Sequence, residues 1–184
     1  MKRCFDILAA GTALALLSPL MLLTALAVVL DSRGGVLFLQ DRVGLGGRNF
    51  KIFKFRTMVK NAEKKGPLLT ERDDPRVTGA GRFLRRWSLD ELPQLYNILR
   101  GEMSIIGPRP EVPPLVAEYT PWQRKVLAVR PGLSGLSQIV GRGDLEIDRK
   151  LRLDNYYVRH QSLCFDLWII WKTLVIVSTG KGAF

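Results

Sequence analysis

Ile7 to Leu30 is the segment that most restricts what this chain can become. Its 24 positions hold no charged residue, lie between Asp6 and Asp31, and are broken once by Ser18-Pro19. As a helix this run measures about 36 Å, enough to cross a hydrocarbon layer of about 30 Å. Three readings compete. Lys2, Arg3, the apolar run and Ala25-Leu26-Ala27 fit a signal peptide, although the run exceeds a usual apolar core and contains a proline. A straight span would keep Lys2 and Arg3 inside and export everything after Asp31. The third reading follows from Pro19, which removes a backbone donor and kinks a helix, while a nearby serine can satisfy the freed carbonyl. Two arms of about 16 Å could then dip into one leaflet and return to the same side.

The charge pattern favours the return. Of 28 Lys+Arg and 17 Asp+Glu in the 184 residues, only Lys2, Arg3 and Asp6 precede residue 31, so most of the net +11 lies beyond it. A basic domain of that kind belongs on the cytoplasmic face against anionic lipid. The expected organisation is a re-entrant membrane helix over 1–30 and a cytoplasmic-face domain over 31–184. A kinked ordinary span is the competing form. Cys4 and Cys164 exclude a disulfide scaffold and multi-cysteine zinc spacing. His160 is the only histidine, no G-x-S-x-G elbow occurs, and His160 is expected at a helix end or in solvent. Catalysis, if present, rests on carboxylates, arginines and lysines.

The densest chemistry lies in Ser88-Leu89-Asp90-Glu91-Leu92-Pro93-Gln94-Leu95, after Arg82, Arg85 and Arg86. Ser88 to Glu91 fits an S-x-x-E capping box, and Pro93 favours a slightly later helix start capped by Asp90. A cap alone needs no function. Yet adjacent carboxylates among arginines stay ionised, and the arginines can hold an anionic substrate against them. The two readings are compatible, because a helix start also suits anions.

Elsewhere, Val36–Val43 and Phe50–Phe55 flank Gly44-Leu45-Gly46-Gly47 and predict a hairpin carrying Lys51, Lys54 and Arg56. Residues 60–80 read as a surface loop in which Glu71, Asp73 and Asp74 are most simply solvated, with metal binding as the lesser alternative. Pro108-Arg109-Pro110 and Pro113-Pro114 predict a stiff extended segment that presets Arg109 as an anion or base contact. A short helix is expected over Thr120–Val129. Gly132 to Gly143, containing Arg142, reads as a backbone loop approaching a ligand. Leu163–Val177 is apolar but interrupted by Asp166 and Lys172, which suits an interface or a core helix rather than a span. The fold class expected is mixed α/β, predominantly helical, with a small antiparallel hairpin or sheet and surface-lying amphipathic helices.

In this order, the pieces resemble the small bacterial phosphoglycosyl transferases that start glycan assembly on polyprenyl phosphate. The resemblance covers almost the whole chain. It is carried by Ser18-Pro19, Gln40-x-Arg42-x-Gly44-x-x-Gly47-x-x-Phe50, Lys54-Phe55-Arg56-Thr57-Met58, Ser88 to Leu95, Gly107 to Pro110, and Pro131-Gly132-Leu133-Ser134-Gly135 through Gly141-Arg142. Leu136-Ser137, Val140 and Gln161 depart from the usual pattern and leave the Asp90-Glu91 pair untouched.

The resemblance implies a monotopic enzyme on the cytoplasmic face of the bacterial inner membrane. It would move a phospho-sugar from a UDP-sugar to polyprenyl (undecaprenyl) phosphate and release UMP. Asp90 would be the nucleophile, forming an aspartyl phospho-sugar intermediate, and Glu91 would assist with Mg²⁺ or the incoming lipid phosphate. Both carboxylates are candidate metal ligands. Arg109, between Pro108 and Pro110, would contact the nucleotide. Arg85 and Arg142 would clamp phosphate, with Lys54 and Arg56 in support. The implied partners are the UDP-sugar, polyprenyl phosphate and an anionic bilayer, without nucleic acid, and a homodimer is one allowed state. Physics supports the chemistry, since attack of a carboxylate on a pyrophosphate needs cations to offset like charges. Three rivals stand beside it: a basic nucleic-acid binder, for which no zinc-finger or RNP-like motif is present; a membrane scaffold; and a membrane-bound pyrophosphate hydrolase.

Overall fold

The computed structural model describes residues 2–62, 66, 74–141 and 145–179. The first helix, α1 (Lys2–Asp31), is continuous through Pro19. The Ser18 hydroxyl donates to the Ala15 carbonyl at 2.8 Å, the acceptor that Pro19 leaves without an N–H. Burial on α1 is confined to its two ends, at Asp6 and Ala10 and at Thr24 and Val28. Between them Leu16, Leu20, Leu22 and Leu23 face outward.

Both ends of α1 are fastened to the rest of the chain. At the first end, Arg3 donates to the Ile98 and Leu99 carbonyls at 2.6 and 3.0 Å. Asp6 accepts from the Ser104 hydroxyl and the Ile105 N–H at 2.9 and 3.0 Å, and Lys2 pairs with the buried Asp166. At the other end, the Arg56 guanidinium donates to the Ser32 and Arg33 carbonyls at 2.6 and 3.0 Å and reaches Val28 O at 3.4 Å. Asp31 accepts the Ala80 N–H at 3.0 Å.

A hairpin follows, with β1 (Leu37–Val43) antiparallel to β2 (Asn49–Phe55) and Leu37 opposite Phe55. Gly46 and Gly47 turn the chain with φ of 65° and 79°, values an L side chain resists. The helix α2 (Gly79–Arg86) then leads through a 3₁₀ turn, Leu89–Glu91, into α3 (Gln94–Arg100). Apolar contacts seat Ile52 with Ala10, Leu95, Ile98 and Met103, and Phe55 with Val28 and Leu84. Strand β2 therefore belongs to the clusters at both ends of α1.

A second sheet is not foreseen by the sequence pattern. β3 (Ser104–Ile106) pairs in parallel with β4 (Gly132–Ser134). Gly132 and Gly107 permit this approach, because a Cβ on Gly132 would collide with the Gly107 backbone. The described part of the glycine-rich stretch thus joins backbone to backbone, and its Arg142 lies outside the described residues. Beyond β4 come α5 (Leu136–Gly141), α6 (Ile147–His160) and α7 (Leu163–Thr179). Tyr157 of α6 is fully buried, and its hydroxyl donates to Asp166 at 2.6 Å. His160 closes α6 in an exposed position.

Other local expectations are corrected. Pro113-Pro114 does not extend the preceding stiff segment but opens α4 (Pro113–Ala117), where a proline needs no helical donor. The helix expected over Thr120–Val129 is a 3₁₀ segment, Gln123–Ala128. Asp74 is buried rather than solvated, held by the Arg76 guanidinium at 2.6 Å. Glu71 and Asp73 lie outside the described residues.

Candidate active site

The route into the site is set by Ser88, whose φ of 55° places it in the left-handed region. That conformation is uncommon for a non-glycine residue. The Ser88 side chain makes no cap bond, so the capping box is not formed, and α3 begins at Gln94 rather than at the dyad. The reversal at Ser88 instead brings α2 and the Asp90-Glu91 turn together, with Arg85 electrostatically coupled to Asp90.

Asp90 is 8 % exposed and accepts no hydrogen bond among the described residues. Burial raises its carboxyl above the ordinary range, and the neighbouring Glu91 charge raises it further against the pull of Lys54, Arg85 and Arg109. Glu91 is its opposite. Burial alone would push Glu91 up, but Lys54 and Arg109 outweigh that and hold it well below the usual carboxylate range. Both cations meet one oxygen, Oε1, with Lys54 Nζ at 2.8 Å and Arg109 Nη2 at 3.0 Å. Two adjacent carboxylates are thereby divided, one neutralised by fixed cations and one left without a donor.

Arg85 spends only its Nε, on the Thr57 hydroxyl at 2.9 Å, so its terminal nitrogens have no partner among the described residues. Arg109 keeps about a third of its side chain exposed (35 %). Its segment is steadied by Arg42, which donates to the Pro110 carbonyl at 2.9 Å and to Gln40. Burial and the nearby Arg109 lower the Arg42 guanidinium to about 10. A shallow cleft is lined by Arg42, Lys54, Glu91, Gln94, Arg109 and Pro110. Pro108 faces a neighbouring apolar pocket with Val43, Tyr119 and Val126.

Of the residues singled out from the sequence, Asp90, Glu91, Lys54, Arg85, Arg109 and Pro110 gather here. Arg56 does not join them, since its guanidinium is committed to the carbonyls ending α1. Arg42 and Gln94 line the cleft without having been assigned a role. Their only signal was membership in the two quoted motifs.

The carboxylates also bear on a metal. Among the described residues no third His, Cys, Asp or Glu joins the pair. Two hard oxygen ligands fit Mg²⁺, which keeps waters and takes remaining ligands from substrate phosphates. The Asp90 carboxylate accepts no hydrogen bond among the described residues, so its oxygens are not committed elsewhere.

The site is thus a buried carboxylate that accepts no hydrogen bond among the described residues and that feels the charges of Lys54, Arg85 and Arg109. The chain belongs to the bacterial sugar transferase family, whose model matches residues 1–180. It is 45 % identical over 99 % of its length to a UDP-N-acetylgalactosamine-undecaprenyl-phosphate N-acetylgalactosaminephosphotransferase of Aeromonas hydrophila, covering 44 % of that protein. It is 44 % identical over its whole length to an undecaprenyl-phosphate glucose phosphotransferase of Komagataeibacter xylinus, covering 37 % of it. An exopolysaccharide production protein of Sinorhizobium fredii is 43 % identical, with 100 % of this chain and 88 % of that protein aligned. The chain thus spans less than half of the first two relatives and most of the third.

Proposed function

We propose that this protein transfers a phospho-sugar from a UDP-sugar to polyprenyl phosphate, releasing UMP and forming a polyprenyl-diphosphate sugar. The observation that carries the reading is Asp90, a nearly buried carboxylate without a hydrogen-bond donor among the described residues, in the field of Lys54, Arg85 and Arg109. In the first displacement an Asp90 oxygen attacks the β-phosphorus. The bond from that phosphorus to the UMP oxygen breaks, and UMP leaves with the electron pair. In the second, a phosphate oxygen of the polyprenyl acceptor attacks the same phosphorus, and the aspartyl bond breaks to return Asp90 as a carboxylate. Splitting the transfer lets a soluble donor and a lipid acceptor use one site in turn.

Lys54 and Arg109, oriented by Glu91, and the free nitrogens of Arg85 would balance charge on the phosphates. Asp90 and Glu91 are the residues that would hold Mg²⁺, which when bound neutralises charge on a pyrophosphate. The names of the relatives support the acceptor and the donor class. The decisive assay is UMP release by purified full-length protein from UDP-N-acetylgalactosamine, UDP-glucose and UDP-galactose, with undecaprenyl phosphate. Repeated turnover should need both lipid and divalent metal, without lipid at most one UMP per enzyme molecule should appear, and EDTA should stop the reaction. Free sugar phosphate released without lipid would instead make the protein a hydrolase, and silence across a broader donor panel would end the reading.

The same proposal places α1 as a re-entrant helix, with residues 31–184 on the cytoplasmic face of the inner membrane. Its support is that Arg3 and Asp6 at one end, and Val28, Asp31 and Ser32 at the other, are bonded to the same body of the protein. A re-entrant helix must return to the side it left, and contacts of this kind at both ends are what that course requires. The exposed Cys4 and Cys164 provide the check. An impermeant thiol reagent is expected to label both in inside-out vesicles and neither in right-side-out cells. Labelling of Cys4 and Cys164 from opposite faces would overturn the topology.

A further inference from the structure

We infer that Gln94 is a substrate-binding residue whose side-chain amide donates a hydrogen bond to a phosphoryl oxygen of the nucleotide-sugar held against Asp90. The inference rests on the transferase reading above and extends it to a residue outside the dyad and its cations.

Gln94 is 2 % exposed, and its enclosed Nε2 has no hydrogen-bond partner among the described residues. Buried amides are nearly always satisfied. Another buried amide on the same helix shows what a purely structural role looks like. Asn97, fully buried, accepts from the Phe53 N–H at 3.0 Å and donates to the Lys51 carbonyl and to Glu102, each at 2.7 Å. Asn97 is spent on the fold, while Gln94 holds its donor in reserve.

Its place explains the reserve. Leu92 and Pro93 keep helical dihedrals, so the backbone runs helically from the dyad into α3. Residues at i, i+3 and i+4 share a face, which sets Gln94 beside Asp90 and Glu91. Gln94 lines the cleft with Arg42, Lys54 and Arg109, none of which can accept from an amide. Of the cleft's carboxylate, Glu91, the Oε1 already takes two cationic donors. An N–H among cations with no acceptor of its own calls for an oxyanion, and a phosphoryl oxygen satisfies the amide and the cations together.

The test compares full-length wild type, Gln94→Met, Gln94→Glu and Asp90→Asn with the UDP-sugar that wild type uses. Gln94→Met and Gln94→Glu keep the size of the side chain and remove the donor. Both are expected to lose about 10- to 100-fold in kcat/KM for the nucleotide-sugar. The rise in unfolding midpoint caused by saturating nucleotide-sugar should shrink in both, and Gln94→Met alone should have a midpoint no lower than wild type. Wild-type kcat/KM in both variants would overturn the inference. So would a lowered midpoint with unchanged activity per folded molecule, which would make Gln94 structural. Retained activity in Gln94→Glu beside loss in Gln94→Met would show an acceptor, and overturn the donor assignment. If Gln94→Met fails to fold, Gln94→Glu decides alone by the same two readouts. An active Asp90→Asn would instead defeat the covalent-aspartyl reading of the site, and a wild type silent across the donor panel would defeat the transferase reading, so these failures are distinguishable from that of Gln94.

Discussion

Asp90→Asn is expected to lower UMP release by roughly three orders of magnitude or more, with no loss of folded protein at neutral pH. The amide oxygen has nearly the shape of the carboxylate it replaces but is a far poorer nucleophile toward phosphorus. The stability half follows from the environment of Asp90. Burial, and then the Glu91 charge, raise its carboxyl in the folded state above the ordinary 3.8. A raised carboxyl means that the unfolded chain gives up this proton more readily, so stability falls as pH rises through the raised value. The disadvantage is absent below about pH 4, where Asp90 is protonated in both states. Asp90→Asn removes it, so the variant's unfolding midpoint at pH 7 should equal or exceed that of wild type, with the difference closing toward pH 4. Thermal unfolding at the two pH values, read beside the UMP assay, checks both halves. Activity within tenfold of wild type, or a midpoint lowered by several degrees at pH 7, would return Asp90 to a structural role.

What could be read from the sequence was decided locally. One part of the Ser18-Pro19 reading holds, because proline chemistry acts within one turn: the serine meets the Ala15 carbonyl that the proline abandons, although the helix runs on unbroken through Pro19. The hairpin is legible because partial alternation flanks glycines that alone turn the chain with ease. Arg85 could be connected to the dyad because it belongs to the cationic run just before it, whereas Lys54 and Arg109 were brought to the dyad only by the family resemblance. Direction was not legible. Arg56 stands two residues from Lys54, yet it caps the end of α1 while Lys54 enters the cleft. Ser88 carried the signature of a helix cap, but the left-handed turn that packs α2 against the dyad overrode it. The β3–β4 pair joins strands of three residues from distant parts of the chain, too short for any period to register. Gln94 and Asn97 looked alike as polar positions in an amphipathic helix, and only their hydrogen bonds tell them apart.

Glu91→Gln should produce a different failure from Asp90→Asn, slower but not silent. The Glu91 charge binds Lys54 and Arg109 through one oxygen, so its loss frees two cations that would otherwise be aimed at substrate phosphate. A decrease of about 100-fold in kcat/KM is the scale expected when positioned electrostatic groups are lost from a charged transition state. The pH profile separates this from general damage. As the nucleophile, Asp90 must be ionised, so the acid side of kcat/KM falls as pH drops through its raised value. Glu91 contributes to that elevation by like charge, whereas Lys54 and Arg109 oppose it. Removing the Glu91 charge strips away one raising influence and leaves the two lowering cations less neutralised. The Asp90 carboxyl must then titrate lower, and the acid limb of Glu91→Gln should move to lower pH even as its plateau drops. A limb that stays in place would mean that the two carboxylates do not share a field at the moment of reaction. A limb that moves upward would mean that Lys54 and Arg109 swing away once released, making Glu91 chiefly the residue that keeps those cations within reach of Asp90.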